Sequence, residues 1–384
     1  MRIGIDISTV LNHGQDIGSG RYIINLIRNL LKIDRENTYV FTGRFTTGEY
    51  LPIIYDLKSN HPENKIKLDL YHTTSGKLRL WNKFRFPAVE FLGFKADILH
   101  CPDYLIPPTL NRNIVLTIHD LAFIRFPEFN FDWFIKKYTR EVKKNAHISK
   151  KIIADSESTG NDIVKFFKID PARVEVIYLA ADNIFKKLSE NEKDINVLKK
   201  YKINKKYIFS VGTIEPRKNF VVLIKAFNNI KQSKIGSGYK LVIVGRTGWK
   251  SEAAYQEREK SPYREDILFT GRVPDQDLVQ IYNQAELFVY PSLFEGFGLP
   301  PLEAMSCGLP VIASDTSSLK EVIGDAGILA TAGDESELKK QILYVLGNEA
   351  IKEELKGKSL IRAKKFSWEE TAQKTLDIYN KTIY

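Results

Sequence analysis

Two carboxylates, Glu295 and Glu303, stand eight positions apart in the stretch FEGFGLPPLEAMSCGLPVIASD, separated by glycines, a phenylalanine and a proline pair. Pro300-Pro301 suits the first turn of a helix, where a missing N–H costs nothing. The spacing therefore predicts Glu303 inside that first turn and Glu295 in the loop feeding it. Two acids beside unpaired backbone N–H groups suit a polyol and an anion held together. A second cluster, SVGTIEPRKNFVVLI, sets Arg217 and Lys218 between a glycine-bearing strand end and a helix opened by Asn219. Cations at a helix start are mildly unfavourable unless an anion joins them, and this pair suits a diphosphate. Two cations for a diphosphate and two carboxylates for hydroxyl groups match a nucleotide sugar: base, ribose diol, diphosphate, sugar.

Other strand ends offer weaker chemistry. VLTIHDLAF ends an apolar strand on His119, which is placed to donate to a hydroxyl or act as acid or base near neutrality; taken alone it reads more simply as a turn cap. Gly18 and Gly20 flank Ser19 ahead of a helix, where backbone can approach a ligand closely. That loop lacks the third glycine of a dinucleotide fingerprint, since Ile23 stands there, and it reads as a flexible loop as readily as a binding loop. Asp275 and Asp277 have a metal-carboxylate spacing, but Pro274 beside them makes a helix start the better reading, with Asp275 as its cap. The backbone at Arg272 and Val273 is free to face a flat base. The six histidines show no metal spacing.

The elements that position these groups alternate between short β-branched runs and amphipathic helices, the grammar of parallel sheets. RIGIDIS, TYVFTG, KIKLDLY, ADILHCP, NIVLTIHD and KIIADS predict one sheet; YIFSVG, YKLVIVG, DILFTG, AELFVYPS, PVIASD and AGILA predict another. The expected organisation is an α/β protein with two doubly wound Rossmann-like domains facing across a cleft, residues 1–182 and 183–366. A helix over 367–384, with Trp368, Ala372, Leu376 and Tyr379 on one stripe, is expected to return to the first domain. A length of 384 residues suits two domains, and 43% apolar against 27% charged residues is ordinary for a globular protein. No run reaches the ~18 apolar residues of a membrane span. The start, MRIGIDIST, reads as a strand and not a signal peptide, and two distant cysteines, Cys101 and Cys307, fit a reducing cytoplasm. The net charge of +10 admits anionic lipid, nucleic acid or phosphate-bearing partners. A nucleic-acid partner is not expected, because the basic residues are spread without a stacking motif.

With these residues in place, the chain resembles the retaining glycosyltransferases of the large family-4 type, which have the two-domain GT-B architecture. The resemblance covers essentially the whole chain and is strongest from Tyr207 to Ala330, on Glu295 and Glu303, EPRKN, GRV and EVIGDAG. It implies that Glu303 holds ribose hydroxyls and that Glu295 lies near the donor sugar. The N–H groups of Phe297, Gly298 and Leu299 would contact sugar and phosphate, and Val273 would meet the base through its main chain. Arg217 and Lys218 would neutralise the leaving diphosphate in place of a metal, so no cofactor and no divalent ion is expected. His119 would touch the donor sugar, and the Gly18–Gly20 loop would close over the phosphates. Thr213 stands where many relatives carry arginine, which shifts the burden onto Arg217 and Lys218. TIHDLAFIRFPEF and VGRTGW resemble bacterial polysaccharide mannosyltransferases, implying GDP-mannose as donor and a glycan or lipid-linked acceptor. A UDP-sugar donor, or a nucleotide-sugar epimerase of the same fold, stands as the alternative. In FDWFIKKYTREVKKNAHISKK, Phe131, Phe134, Ile135, Tyr138 and Val142 share one helical face and Lys136, Lys137, Arg140, Lys143 and Lys144 the opposite one. That helix is either an ordinary buried amphipath or a dock for anionic lipid on the inner face of the cytoplasmic membrane.

Overall fold

The apolar runs become parallel strands, most of them covered on both faces, as parallel sheets require. In the first half they are β1 (Arg2–Asp6), β2 (Thr38–Phe45), β3 (Lys65–His72), β4 (Ile98–Cys101), β5 (Ile114–Ile118), β6 (Lys151–Ala154) and β7 (Val174–Val176). The second half supplies β8 (Tyr207–Val211), β9 (Lys240–Val244), β10 (Ile267–Phe269), β11 (Leu287–Tyr290), β12 (Val311–Ser314) and β13 (Ile328–Ala330). A computed structural model describes residues 1–15 and 17–383, and the chain divides into one unit of Met1–Leu179 with Ser367–Tyr384 and another of Ala180–Phe366.

The first sheet runs β3-β2-β1-β4-β5-β6-β7 and the second β10-β9-β8-β11-β12-β13, every pairing parallel. Strand order therefore reverses between β1 and β4 in one unit and between β8 and β11 in the other. Crevices open at such switch points, outside the carboxyl ends of the strands. In the first sheet that edge carries Asp6, Arg44 and Asp103; in the second it carries Arg217, Lys218 and Glu295. The β7 strand is absent from the runs that the sequence predicts, and its three residues are half-buried.

Each sheet has its own core. Leu99, Leu116, Ile152 and Phe167 belong to the first, and Ile208, Leu241, Val289 and Ile342 to the second, all at 1% exposure or less. The Trp368–Ile383 helix belongs to the first unit. It buries Trp368, Ala372, Ile378 and Tyr379, while Leu376 is only half-buried and Thr375 and Thr382 take inward positions. Tyr379 Oη meets His100 Nδ1 at 2.7 Å, His100 Nε2 meets Thr117 Oγ1 at 2.8 Å, and Tyr22 Oη meets the same hydroxyl at 3.1 Å. Burial holds the His100 ring neutral, with its pKa lowered to about 3, so one ring nitrogen donates and the other accepts.

Candidate active site

The β8 strand ends at Gly212, and the following loop makes one 3-10 turn, Pro216–Lys218, before the Phe220–Lys231 helix. Asn219 starts that helix in a left-handed conformation (φ 54°) and lends it no side-chain cap. Its Nδ2 is buried without a hydrogen-bond partner among the described residues. The first turn thus presents uncapped N–H groups beside two cations, the arrangement that receives an anion.

Those cations are not free. Lys218, 8% exposed, donates from Nζ to Tyr290 Oη at 2.6 Å and to Glu295 Oε1 at 2.5 Å. Arg217 pairs with Glu215 at 2.7 Å and with Glu295 Oε2 at 2.9 Å, and donates to the Phe294 carbonyl at 2.7 Å. Ser292 Oγ donates to Glu295 Oε1 at 2.5 Å. Two carboxylates and two cations form one compensated cluster, with no excess of positive charge waiting for a diphosphate. Burial works to raise the Glu295 pKa, but Arg217 and Lys218 outweigh it and hold the group at about 2. Burial pulls the Lys218 ammonium down, with Glu295 opposing. Such buried pairs cost desolvation that geometry only partly returns, which favours an arrangement kept for function.

The Glu295 loop is pinned from the turn that follows β12. Ser317 Oγ accepts from Glu295 N at 2.9 Å, and Ser318 Oγ bonds the carbonyls of Glu295 (2.9 Å) and Phe297 (2.7 Å). Phe297 is buried against Phe366, edge to face at 5.8 Å. Gly298 caps the Leu299–Ser306 helix at φ 114°, where a Cβ would be strained and would come within 2.9 Å of Leu319 Cδ2. Because Pro300 and Pro301 follow, the N–H groups left at this helix start are concentrated at Gly298 and Leu299. Glu303 lies one turn deeper than its spacing suggested, since the helix begins at Leu299; its carboxylate accepts from Tyr282 Oη at 2.9 Å. Val273 is buried in the loop after β10. Arg217, Lys218, Glu295, Phe297, Gly298, Leu299, Glu303 and Val273 all belong to the carboxyl edge of the second sheet, and the first three touch.

In the first unit the expectations need revision. Gly18 and Gly20 are not in a loop but in the first turn of the Gly18–Ile33 helix. Gly20 is there for space: a Cβ would lie 2.0 Å from the Gly14 carbonyl oxygen, whereas one on Gly18 would meet nothing within 4 Å. His119 has both ring nitrogens engaged by acceptors, Nδ1 with Asp155 Oδ2 at 2.7 Å and Nε2 with the Pro102 carbonyl at 3.1 Å. Two acceptors require two ring protons. Burial opposes that charge, but Asp155 prevails and raises the pKa to about 9. The ring is a standing imidazolium rather than a residue poised near neutrality. Asp275 is the first residue of its helix and no cap, and Asp277 accepts from Lys200 and Tyr201, both at 2.7 Å. Sequence reasoning missed Glu215, Tyr290, Ser292, Ser317 and Ser318; only Glu215 carried a signal, as the first letter of EPRKN.

Two Rossmann-like units, each a parallel sheet with its own switch point, are the plan of the GT-B fold. Residues 18–183 match the model of glycosyltransferase family 4, and residues 190–361 match that of glycosyl transferases group 1. The Escherichia coli O-antigen chain mannosyltransferase B is 34% identical over 367 residues, covering 94% of this chain and 95% of the relative. Among solved structures, Anabaena HepE in complex with UDP and glucose superposes with a TM-score of 0.77 at 18% identity, covering 99% of this chain and all of that one. WaaG, a glycosyltransferase involved in lipopolysaccharide biosynthesis, gives 0.75 at 15% identity, covering 98% and 99%. The chain belongs to the family-4 glycosyltransferases.

Proposed function

We propose that this glycosyltransferase moves mannose from GDP-mannose to a glycan or lipid-linked saccharide during cell-surface polysaccharide synthesis, with retained anomeric configuration and no divalent metal. The donor assignment follows the similarity to the O-antigen mannosyltransferase. The observation that carries the chemistry is the Lys218–Glu295–Arg217 cluster beside an uncapped helix start. As the glycosidic bond lengthens, negative charge grows on the departing diphosphate. Fixed cations and N–H groups then stabilise it without reorganisation, provided Lys218 and Arg217 shift part of their bonding from Glu295 to phosphate oxygen. Glu295, held ionised, is left to face the electron-poor sugar.

None of the described helices is long and apolar enough to cross a membrane. Peripheral contact is supported by the Asp132–Ile148 helix. Phe134 and Tyr138 stack inward at 4.2 Å, while Phe131 and Trp133 are 50% and 65% exposed at its start, so Phe131 leaves the face to which its spacing assigned it. Thermal stabilisation by a panel of GDP- and UDP-sugars tests the donor. GDP-mannose is expected to give the largest shift, and turnover is expected to persist in EDTA. A larger shift with a UDP-hexose overturns the donor, and loss in EDTA rescued only by magnesium or manganese overturns the metal-free mechanism.

A further inference from the structure

The cluster at the end of β8 has no charge to spare. Glu215 and Glu295 offset Arg217 and Lys218 at 2.5–2.9 Å, yet a departing nucleoside diphosphate carries more than one negative charge. Bonding that Lys218 and Arg217 transfer to phosphate leaves Glu295 less compensated beside that anion. The same sheet edge therefore calls for a further cation, one that no carboxylate already holds. Arg246 meets that description. It follows Gly245 at the carboxyl end of β9, the strand paired with β8. The residue is exposed, and its guanidinium has no hydrogen bond and no ion pair among the described residues. Exposed arginines are common and mean little by themselves. What sets this one apart is where its backbone is tied.

The loop after β9 is laced to the loop that leads to Arg217. Gly212 N donates to the Val244 carbonyl at 2.9 Å, Ile214 N to the Arg246 carbonyl at 2.9 Å, and Gly248 N to the Ile214 carbonyl at 3.0 Å. Ile214 and Thr247 form a parallel bridge. The pairing thus runs past the ends of both strands and carries Arg246 alongside Thr213. Two glycines permit the approach. A Cβ on Gly245 would lie 1.8 Å from the Gly212 carbonyl oxygen, and one on Gly248 would lie 2.6 Å from Thr213 Cγ2. The second distance also fixes the face, because a side chain at 248 would run into the Thr213 methyl. In extended chain, residues two apart share a face, so Arg246 leaves the backbone on the Thr213 side as well. Ile214 takes the other side and is buried. Arg246 therefore stands on the face where a longer side chain at 213 would project, the position at which relatives carry arginine and this chain does not.

We propose that Arg246 is a donor-binding residue: it supplies from the β9 loop the positive charge that Thr213 does not, and pairs with the diphosphate of the nucleotide sugar while Arg217 and Lys218 stay shared with Glu215 and Glu295. This rests on the glycosyltransferase reading and replaces the expectation that Arg217 and Lys218 bear that load alone. A guanidinium suits the task, since its planar fork bonds two phosphate oxygens at once. Exposure serves it too. An unpaired cation draws the anion in before the buried pairs have to rearrange.

Calorimetric titration of the full chain with GDP and GMP, and with UDP and UMP, tests it; the pair whose diphosphate binds more tightly is the one compared. Arg246→Ala is expected to weaken the diphosphate about tenfold and the monophosphate by no more than about threefold. Lys260→Ala, which removes the same charge from the last residue of the Glu252–Lys260 helix, is expected to leave both within about twofold. Arg246→Lys, and Arg246→Ala combined with Thr213→Arg, are each expected to return diphosphate affinity to within about threefold of the unaltered protein. Unchanged diphosphate binding in Arg246→Ala, an equal loss in Lys260→Ala, equal losses for mono- and diphosphate, or a loss that neither restoring variant reduces overturns the proposal. If the unaltered protein binds neither diphosphate, the glycosyltransferase reading falls and takes the proposal with it. A diphosphate that binds and is indifferent to Arg246 ends the proposal alone.

Discussion

His119 carries a carboxylate on one ring nitrogen and a carbonyl on the other, and its chemistry follows from those partners rather than from its type. With the pKa raised from 6.5 to about 9, its charged form binds a proton that the unfolded chain releases earlier. The stability it contributes is fully present below pH 6.5 and is lost as pH rises through 9. The melting temperature of the protein is therefore expected to fall across that window. Asp155→Asn is expected to start lower and show a flatter profile there; parallel profiles would mean another group titrates. Glu295, Lys218 and Arg217 were legible as a set because their motifs sit at strand ends that parallel topology gathers at one edge. Their mutual pairing was not. Glu215, Tyr290 and Ser292 acquire their role only when β8 and β11 become neighbours, a relation between segments about eighty residues apart that no local pattern encodes.

The Gly18–Ile33 helix makes a test at the scale of an element. Both glycines of its first turn read as a loop, flexible or binding, because a Gly-Ser-Gly run masks helix periodicity. The chain turns helical there since tertiary packing overrides weak propensity. Gly18→Ala, pointing into open space, is expected to leave stability unchanged or raise it by up to about 1 kcal/mol. Gly20→Ala drives a methyl into the Gly14 carbonyl and is expected to lower stability by roughly 1–3 kcal/mol. Urea denaturation compares them, and equal midpoints would sink the packing account. The strands were legible almost throughout, because burial on both faces forces unbroken β-branched runs. The exception, β7, is a three-residue edge strand with half-buried side chains, so the force that writes the pattern elsewhere is weak in it.

Over the whole molecule, the two-sheet plan was written in the repeated alternation of strand and helix, and a separate family model matches each half. The first unit is assembled from two separate lengths of chain, Met1–Leu179 and a carboxyl-terminal stretch that forms the Trp368–Ile383 helix. A chain stopped after Phe366 is expected to keep a cooperative unfolding transition from residues 180–366 and to lose the one from residues 1–179. Removing the helix strips cover from the His100–Thr117–Tyr22 network and unpairs a buried ring nitrogen. Two transitions in the truncated chain would contradict this. On the ribosome the same connectivity imposes an order. Once residue 179 has emerged, the 187 residues from 180 to 366 take roughly 10–40 s to translate at ~5–20 residues per second. Through that interval the nascent amino-terminal half waits unfinished, its apolar seam open to chaperones, while the half that carries Lys218 and Glu295 is completed first.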